Sequence, residues 1–170
     1  IDRDFAIEEG IRLLTEAKSE GVDTIFDLST MDLGRDVRII EAVAKGSGIN
    51  VVVATGTWLD IPRSFEVASP DEIAPLYVRE IETGIQGTGV KAGIIKLANE
   101  PFVTEAGEVI LRAGARAHQA TGAPLYTHTL TENRVGDRQV EIFEDEGVDL
   151  NRVCIGHSND STDMDYLTGL

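Results

Sequence analysis

Apolar positions along this chain keep changing period, from helical to continuous and back. Across residues 4–20, Phe5, Ile7, Ile11, Leu13, Leu14 and Ala17 recur at roughly helical spacing, with Glu8, Glu9, Glu16 and Lys18 between them. That pattern predicts an amphipathic helix, which Gly21 ends. Residues 24–28 form a β-rich run, and residues 36–45 are helical by pattern until Gly46 and Gly48 stop them. Residues 49–54 are Val-rich and apolar on both faces, which suits a central parallel strand. A longer connection, 55–69, contains Gly56, Trp58 and Pro62. Ser69, Pro70, Asp71 and Glu72 then give a capping Ser, a first-position Pro and first-turn acids, so a helix is expected to about residue 82. The run 92–96 is the next predicted strand, and a helix over about 105–120 follows that Thr104 can cap. A strand over 124–128, a polar loop over 129–137, a helix over about 138–146 and a strand over 153–157 complete the series. Residues 164–170 read as a helix broken off in its second turn. With Ile at position 1, this suggests a piece of a longer chain.

Five strands alternating strictly with helices form a parallel sheet, as an open doubly wound sheet or as a (β/α)8 barrel. No Gly-x-Gly-x-x-Gly follows any strand, which weakens the dinucleotide-binding version. Three successive predicted strands stop on residues able to bind a metal or move a proton: Lys96, His128 and His157. Chemistry collects at strand ends in a barrel. The barrel is therefore the expected fold, and five strands leave it incomplete.

Composition narrows the function classes. Thirty acidic against fifteen basic residues give a net charge of -15, which argues against nucleic acid and anionic membrane as partners. Most of these carboxylates read as solvated helix faces. The hydrophobic share of 42% fits one globular domain rather than disorder. The one cysteine, Cys154, excludes an internal disulfide, and its place in an apolar run predicts a buried, inert thiol. No apolar run reaches the length of a membrane span and no signal peptide is evident, so a cytoplasmic location is expected.

Histidine is the commonest nitrogen ligand for zinc, and His128 and His157 suit a metal that activates water. The alternative is that each is hydrogen-bonded and structural. A lysine ending an apolar strand is partly desolvated, which lowers its pKa. Lys96 thus reads as a Schiff-base amine, a general base or a phosphate-binding cation. As an ammonium it would be repelled by metal ions, so joining a metal cluster would require its conversion to an anion. His118, within a helical pattern, reads as an ordinary packed or surface histidine, and Asp27 as structural. Trp58 is either the wall of a pocket or a loop anchor.

The same residues resemble the phosphotriesterase family of the amidohydrolase superfamily, which includes phosphotriesterase-like lactonases. The motifs are Asp27-Leu28-Ser29-Thr30 with Gly34-Arg35-Asp36, Val53-Ala54-Thr55-Gly56-Thr57-Trp58, Lys91-Ala92-Gly93-Ile94-Ile95-Lys96, Thr127-His128-Thr129 and Cys154-Ile155-Gly156-His157-Ser158. They cover nearly the whole chain in order, and the spacings of 32 residues from Lys96 to His128 and 29 from His128 to His157 also fit. The resemblance implies a (β/α)8 barrel of which residues 1–170 supply about strands 2 to 6, without the N- and C-terminal strands. It implies two divalent metal ions, zinc first and cobalt or iron as alternatives. Lys96 is implied to be carboxylated by CO2 and to bridge the ions, with His128 and His157 holding one of them. Asp160 is implied as part of a proton relay and Trp58 as lining the leaving-group side of the pocket.

The function so implied is hydrolysis of a phosphotriester, lactone or carboxylic ester by a metal-held hydroxide, with Trp58 tilting towards the organophosphate branch. The partner is then a small ester or lactone, and a homodimer is admissible. The family's His-x-His pair and its metal-binding Asp are absent, Asn99 and Glu100 stand where a small hydroxyl residue is common, and Asn159 replaces a frequent Asp or Gly. The 170 residues alone are therefore expected to be inactive. Two competing readings remain: a Schiff-base aldolase using Lys96, and an inactive barrel that serves as a binding module.

Overall fold

Local signals set most element boundaries. The computed structural model describes residues 2–170. In chain order it contains α1 (Arg3–Ser19), β1 (Thr24–Asp27), α2 (Val37–Ser47), β2 (Asn50–Thr57), α3 (Pro70–Glu82), β3 (Ile94–Ala98), α4 (Glu105–Thr121), β4 (Leu125–His128), α5 (Val135–Asp145), β5 (Val153–Cys154) and α6 (Met164–Gly169). Helix α3 opens as its sequence predicts: the Glu72 carboxylate accepts from the backbone N–H of Ser69 at 2.8 Å, satisfying a donor the helix cannot. Helix α4 is capped by Thr104, whose Oγ1 accepts from the N–H of Gly107. Among the described residues no helix is long and apolar enough to cross a membrane.

All neighbouring strands pair in parallel, and their spatial order β1-β2-β3-β4-β5 is their chain order. A doubly wound sheet reverses strand order at a switch point; a barrel does not. The chain is accordingly a partial (β/α)8 barrel. Helices α3, α4 and α5 pack along the outer face of the sheet, α3 on α4 and α4 on α5. The main core lies between the two layers, with Ile73 and Tyr77 of α3, Ile95 and Leu97 of β3, Leu111 of α4, Leu125 of β4 and Phe143 of α5 all buried. Each such side chain contributes about 1.5–3 kcal/mol.

Because side chains alternate along a strand, burying Ile95, Leu97 and Leu125 against helices turns Lys96, Tyr126 and His128 to the concave face. Register then sets them side by side: Gly56 pairs with Lys96, Lys96 with Tyr126, and Ala98 with His128. Gly56 has φ +112°, and a Cβ there would come within 2.0 Å of the Lys96 carbonyl oxygen. Only glycine allows β2 and β3 to pair this closely in that conformation. Gly56→Ala should therefore cost about 2–3 kcal/mol in urea denaturation; a loss under about 0.5 kcal/mol would contradict the close approach.

Several sequence expectations are corrected. Strand β3 extends to Ala98, so Lys96 lies in mid-strand rather than at its end. Strand β2 runs three residues past Ala54, and α5 begins at Val135 rather than near 138. The last predicted strand shortens to Val153–Cys154, and His157 lies outside it with a left-handed backbone, φ +61°. Cys154 is exposed rather than buried. It sits on β5, at the edge of the five-stranded sheet, where no further strand covers it among the described residues.

Candidate active site

Beyond the carboxyl ends of the strands lies an open cleft of about 420 Å³ lined by Leu28, Ser29, Leu33, Trp58, Lys96, Tyr126, His128 and His157. The Lys and both His expected from sequence thus share one cleft, together with Trp58. A second, more apolar cavity of about 350 Å³ under α1 contains Asp27 but no other ionisable side chain.

Lys96 is 6% exposed. Its ammonium has no carboxylate partner among the described residues, and Nζ lies 4.8 Å from the centroid of the Tyr126 ring. Burial lowers its pKa to about 8, an effect the neighbouring Cys154 only partly opposes. With that value about a tenth of the amine is neutral at pH 7, far more than for a solvated lysine.

The two imidazole rings lie edge to face, 4.6 Å apart between centroids. Each has one nitrogen on a carboxylate. His128 Nε2 is 2.8 Å from Glu100 Oε2, and His157 Nδ1 is 2.9 Å from Asp160 Oδ2. Nδ1 of His128 and Nε2 of His157 have no hydrogen-bond partner among the described residues. A ligating histidine commonly gives its other nitrogen to a carboxylate, so this donor set fits a metal ion in part. Among the described residues no three His, Cys, Asp or Glu side chains converge on one point. With Lys96 unmodified, the set is two nitrogens.

Trp58 stacks edge-on to His128, with 5.5 Å between ring centroids. Its backbone N–H donates to both oxygens of Asp32 at 3.1 Å, and Thr30 Oγ1 donates to Asp32 Oδ1. The loop after β1 thereby fixes the start of the loop after β2. That first loop is itself held from below. Arg35, in the same segment, makes a two-pronged ion pair with Glu80 of α3 at 2.7 and 3.0 Å, and Thr55 Oγ1 donates to Glu80 at 2.7 Å.

Sequence reading missed Asp32, the Arg35–Glu80 pair and the contact of Glu100 with His128. Glu80 did leave a signal, because Ile73, Tyr77 and Glu80 share the buried face of α3. A glutamate on an apolar stripe needs a buried partner. Asp27 accepts from the N–H of Ser29, and His118 is a packed histidine with Nδ1 2.8 Å from the carbonyl of Ala123.

The model of the phosphotriesterase family matches residues 2–170. The chain belongs to the phosphotriesterase family. It is 46% identical over 179 residues to a phosphotriesterase homology protein of Mycobacterium tuberculosis, a match covering 99% of this chain and 55% of that protein. To an aryldialkylphosphatase of Saccharolobus solfataricus it is 40% identical over 169 residues, covering 98% and 54%. To a phosphotriesterase homology protein of Escherichia coli it is 35% identical over 158 residues, covering 91% and 54%. The chain spans about half the length of these curated relatives.

Proposed function

We propose that this chain carries part of the active site of a phosphotriesterase-type, metal-dependent hydrolase acting on a small phosphotriester, lactone or carboxylic ester. The observation that carries this reading is one cleft shared by a buried, unpaired Lys96 and two histidines, each with one nitrogen on a carboxylate and the other without a partner. The relation to an aryldialkylphosphatase supports the reaction class.

His128 and His157 would hold one divalent ion, and Lys96 would join it to a second. Bound there, the ions, zinc in the first place and cobalt or iron as alternatives, supply a Lewis acid and a hydroxide at neutral pH. Lys96 does this only after its neutral amine adds CO2 and releases a proton, which replaces a cation with an anionic oxygen donor of the kind such ions favour. The low pKa of Lys96 supports that step by supplying neutral amine. We assign Asp160 to orient the His157 ring and to pass a proton between the cleft and solvent, with which it is in contact. Trp58, Leu28 and Leu33 would give an apolar wall for a leaving group. The net charge of -15 favours uncharged esters over phosphate anions.

Two ions need more donors than one lysine and two histidines. The experiment is accordingly done on the intact protein. Chelation should reduce hydrolysis of a triester and a lactone at least about a hundredfold, and zinc or cobalt should restore it. Hydrolysis indifferent to chelator would overturn the proposal.

The same depressed lysine favours one competing reading, a Schiff-base aldolase. Borohydride with a carbonyl substrate would then label Lys96 covalently, whereas a carbamate would not be trapped. A barrel that serves only as a binding module would fold normally and take up no metal.

A further inference from the structure

A neutral imidazole carries its proton on one nitrogen and offers a lone pair on the other, and its neighbours decide which. An ionised carboxylate can only accept. Glu100 on Nε2 of His128 therefore selects the tautomer with the proton on Nε2 and the lone pair on Nδ1. Asp160 on Nδ1 of His157 selects the opposite tautomer, with the lone pair on Nε2.

Glu100 is not an incidental surface partner. The segment that bears it is tied to the backbone of the histidine it contacts. The N–H of Asn99 donates to the carbonyl of His128 at 3.2 Å. Gln139, fully buried on α5, bridges the two: its Nε2 donates to Asn99 Oδ1 at 2.9 Å and to the His128 carbonyl at 3.1 Å. On the other side of Glu100, Asn133 donates to the carbonyl of Pro101 at 2.8 Å. The His128 side chain is 15% exposed, so its ring has little freedom to find another partner.

We propose that Glu100 is a positioning residue for His128, fixing its tautomer so that Nδ1 is the nitrogen available to a ligand. The tautomer is set without any metal; its consequence for metal affinity rests on the reading of His128 as a zinc ligand. A residue in this role changes metal affinity without touching the ion, by about 10–100-fold.

The test uses 15N spectra of the histidine rings in the metal-free intact protein, about two pH units above the ordinary histidine pKa of about 6.5. In the unsubstituted protein His128 should be wholly in the Nε2–H form. In Glu100→Ala a second population with the proton on Nδ1 should appear, while His118, held by the Ala123 carbonyl, should stay unchanged. Glu100→Gln is nearly isosteric and keeps the test open should the alanine variant not fold. Its amide can donate as well as accept, so the same second population is expected. A His128 tautomer as uniform in both variants as in the original protein would overturn the proposal. So would an Nδ1–H form in the unsubstituted protein. Zinc titration of the same samples should show about a 10–100-fold weaker site in Glu100→Ala. A changed tautomer with unchanged zinc affinity would uphold the positioning role and overturn His128 as a zinc ligand.

Discussion

Replacing Lys96 by Met should abolish hydrolysis and at the same time stabilise the fold. The activity of the intact protein is expected to fall at least about a thousandfold, because the lysine is the one group proposed to join both metal ions. The stability gain has a separate origin. Burial holds the Lys96 pKa at about 8 against 10.5 for a solvated amine. Between those values the unfolded chain carries a proton that the folded chain has released, so stability rises with pH across that window. Below pH 8 the folded protein bears the full penalty of an unpaired buried ammonium, offset in part by the Tyr126 ring. Methionine removes it. Lys96→Met should be more stable than the original by about 1–3 kcal/mol at pH 7, and the difference should shrink as pH rises through 8 to 10.5. Urea denaturation of the metal-free protein at pH 7 and pH 10 measures both. A variant that is destabilised at pH 7 and still hydrolyses ester would contradict both halves.

Glu80→Ala is expected to be among the most damaging single changes in the chain. It leaves Arg35, whose side chain is 1% exposed, as an uncompensated buried cation. It also strips Thr55 of its acceptor. Breaking a buried pair from one side costs about 3–5 kcal/mol. Removing both charges together, as in Arg35→Met with Glu80→Leu, should cost less than Glu80→Ala alone, since no charge is then stranded. Urea midpoints of the single and double variants decide the matter, and a Glu80→Ala cost under about 1 kcal/mol would show the pair to be expendable. The pair also steadies the loop that holds Asp32 against the Trp58 backbone. At temperatures where Glu80→Ala remains folded, a raised KM is therefore expected before any fall in kcat.

Much of the fold was legible because its signals are local. Ser69 with Glu72, Thr104, and Gly48 after α2 act within a turn of the helix they bound. Helix α5 began three residues early because Arg134, with φ +52°, serves as an unusual start that no capping side chain announces. The apolar run Val153 to Ile155, continued by Gly156 and His157, suggests a five-residue strand, although only Val153 and Cys154 find a partner on β4.

The sequence by itself determined the alternation of strands and helices, the family to which the chain belongs, and the short set Lys96, His128, His157, Trp58 and Asp160 worth examining. Those depend on periodicity, caps and motif spacing and, for Asp160, on the family resemblance, all of which are written along the chain. Only the tertiary structure decided that Lys96 is a mid-strand residue beside Gly56 and Tyr126, since strand register is a relation between segments. It alone brought Glu100 to His128 across 28 residues and Arg35 to Glu80 across 45. A carboxylate's partner is chosen by packing and desolvation. Contacts of this kind turn a list of possible ligands into two histidines that each keep a different nitrogen free.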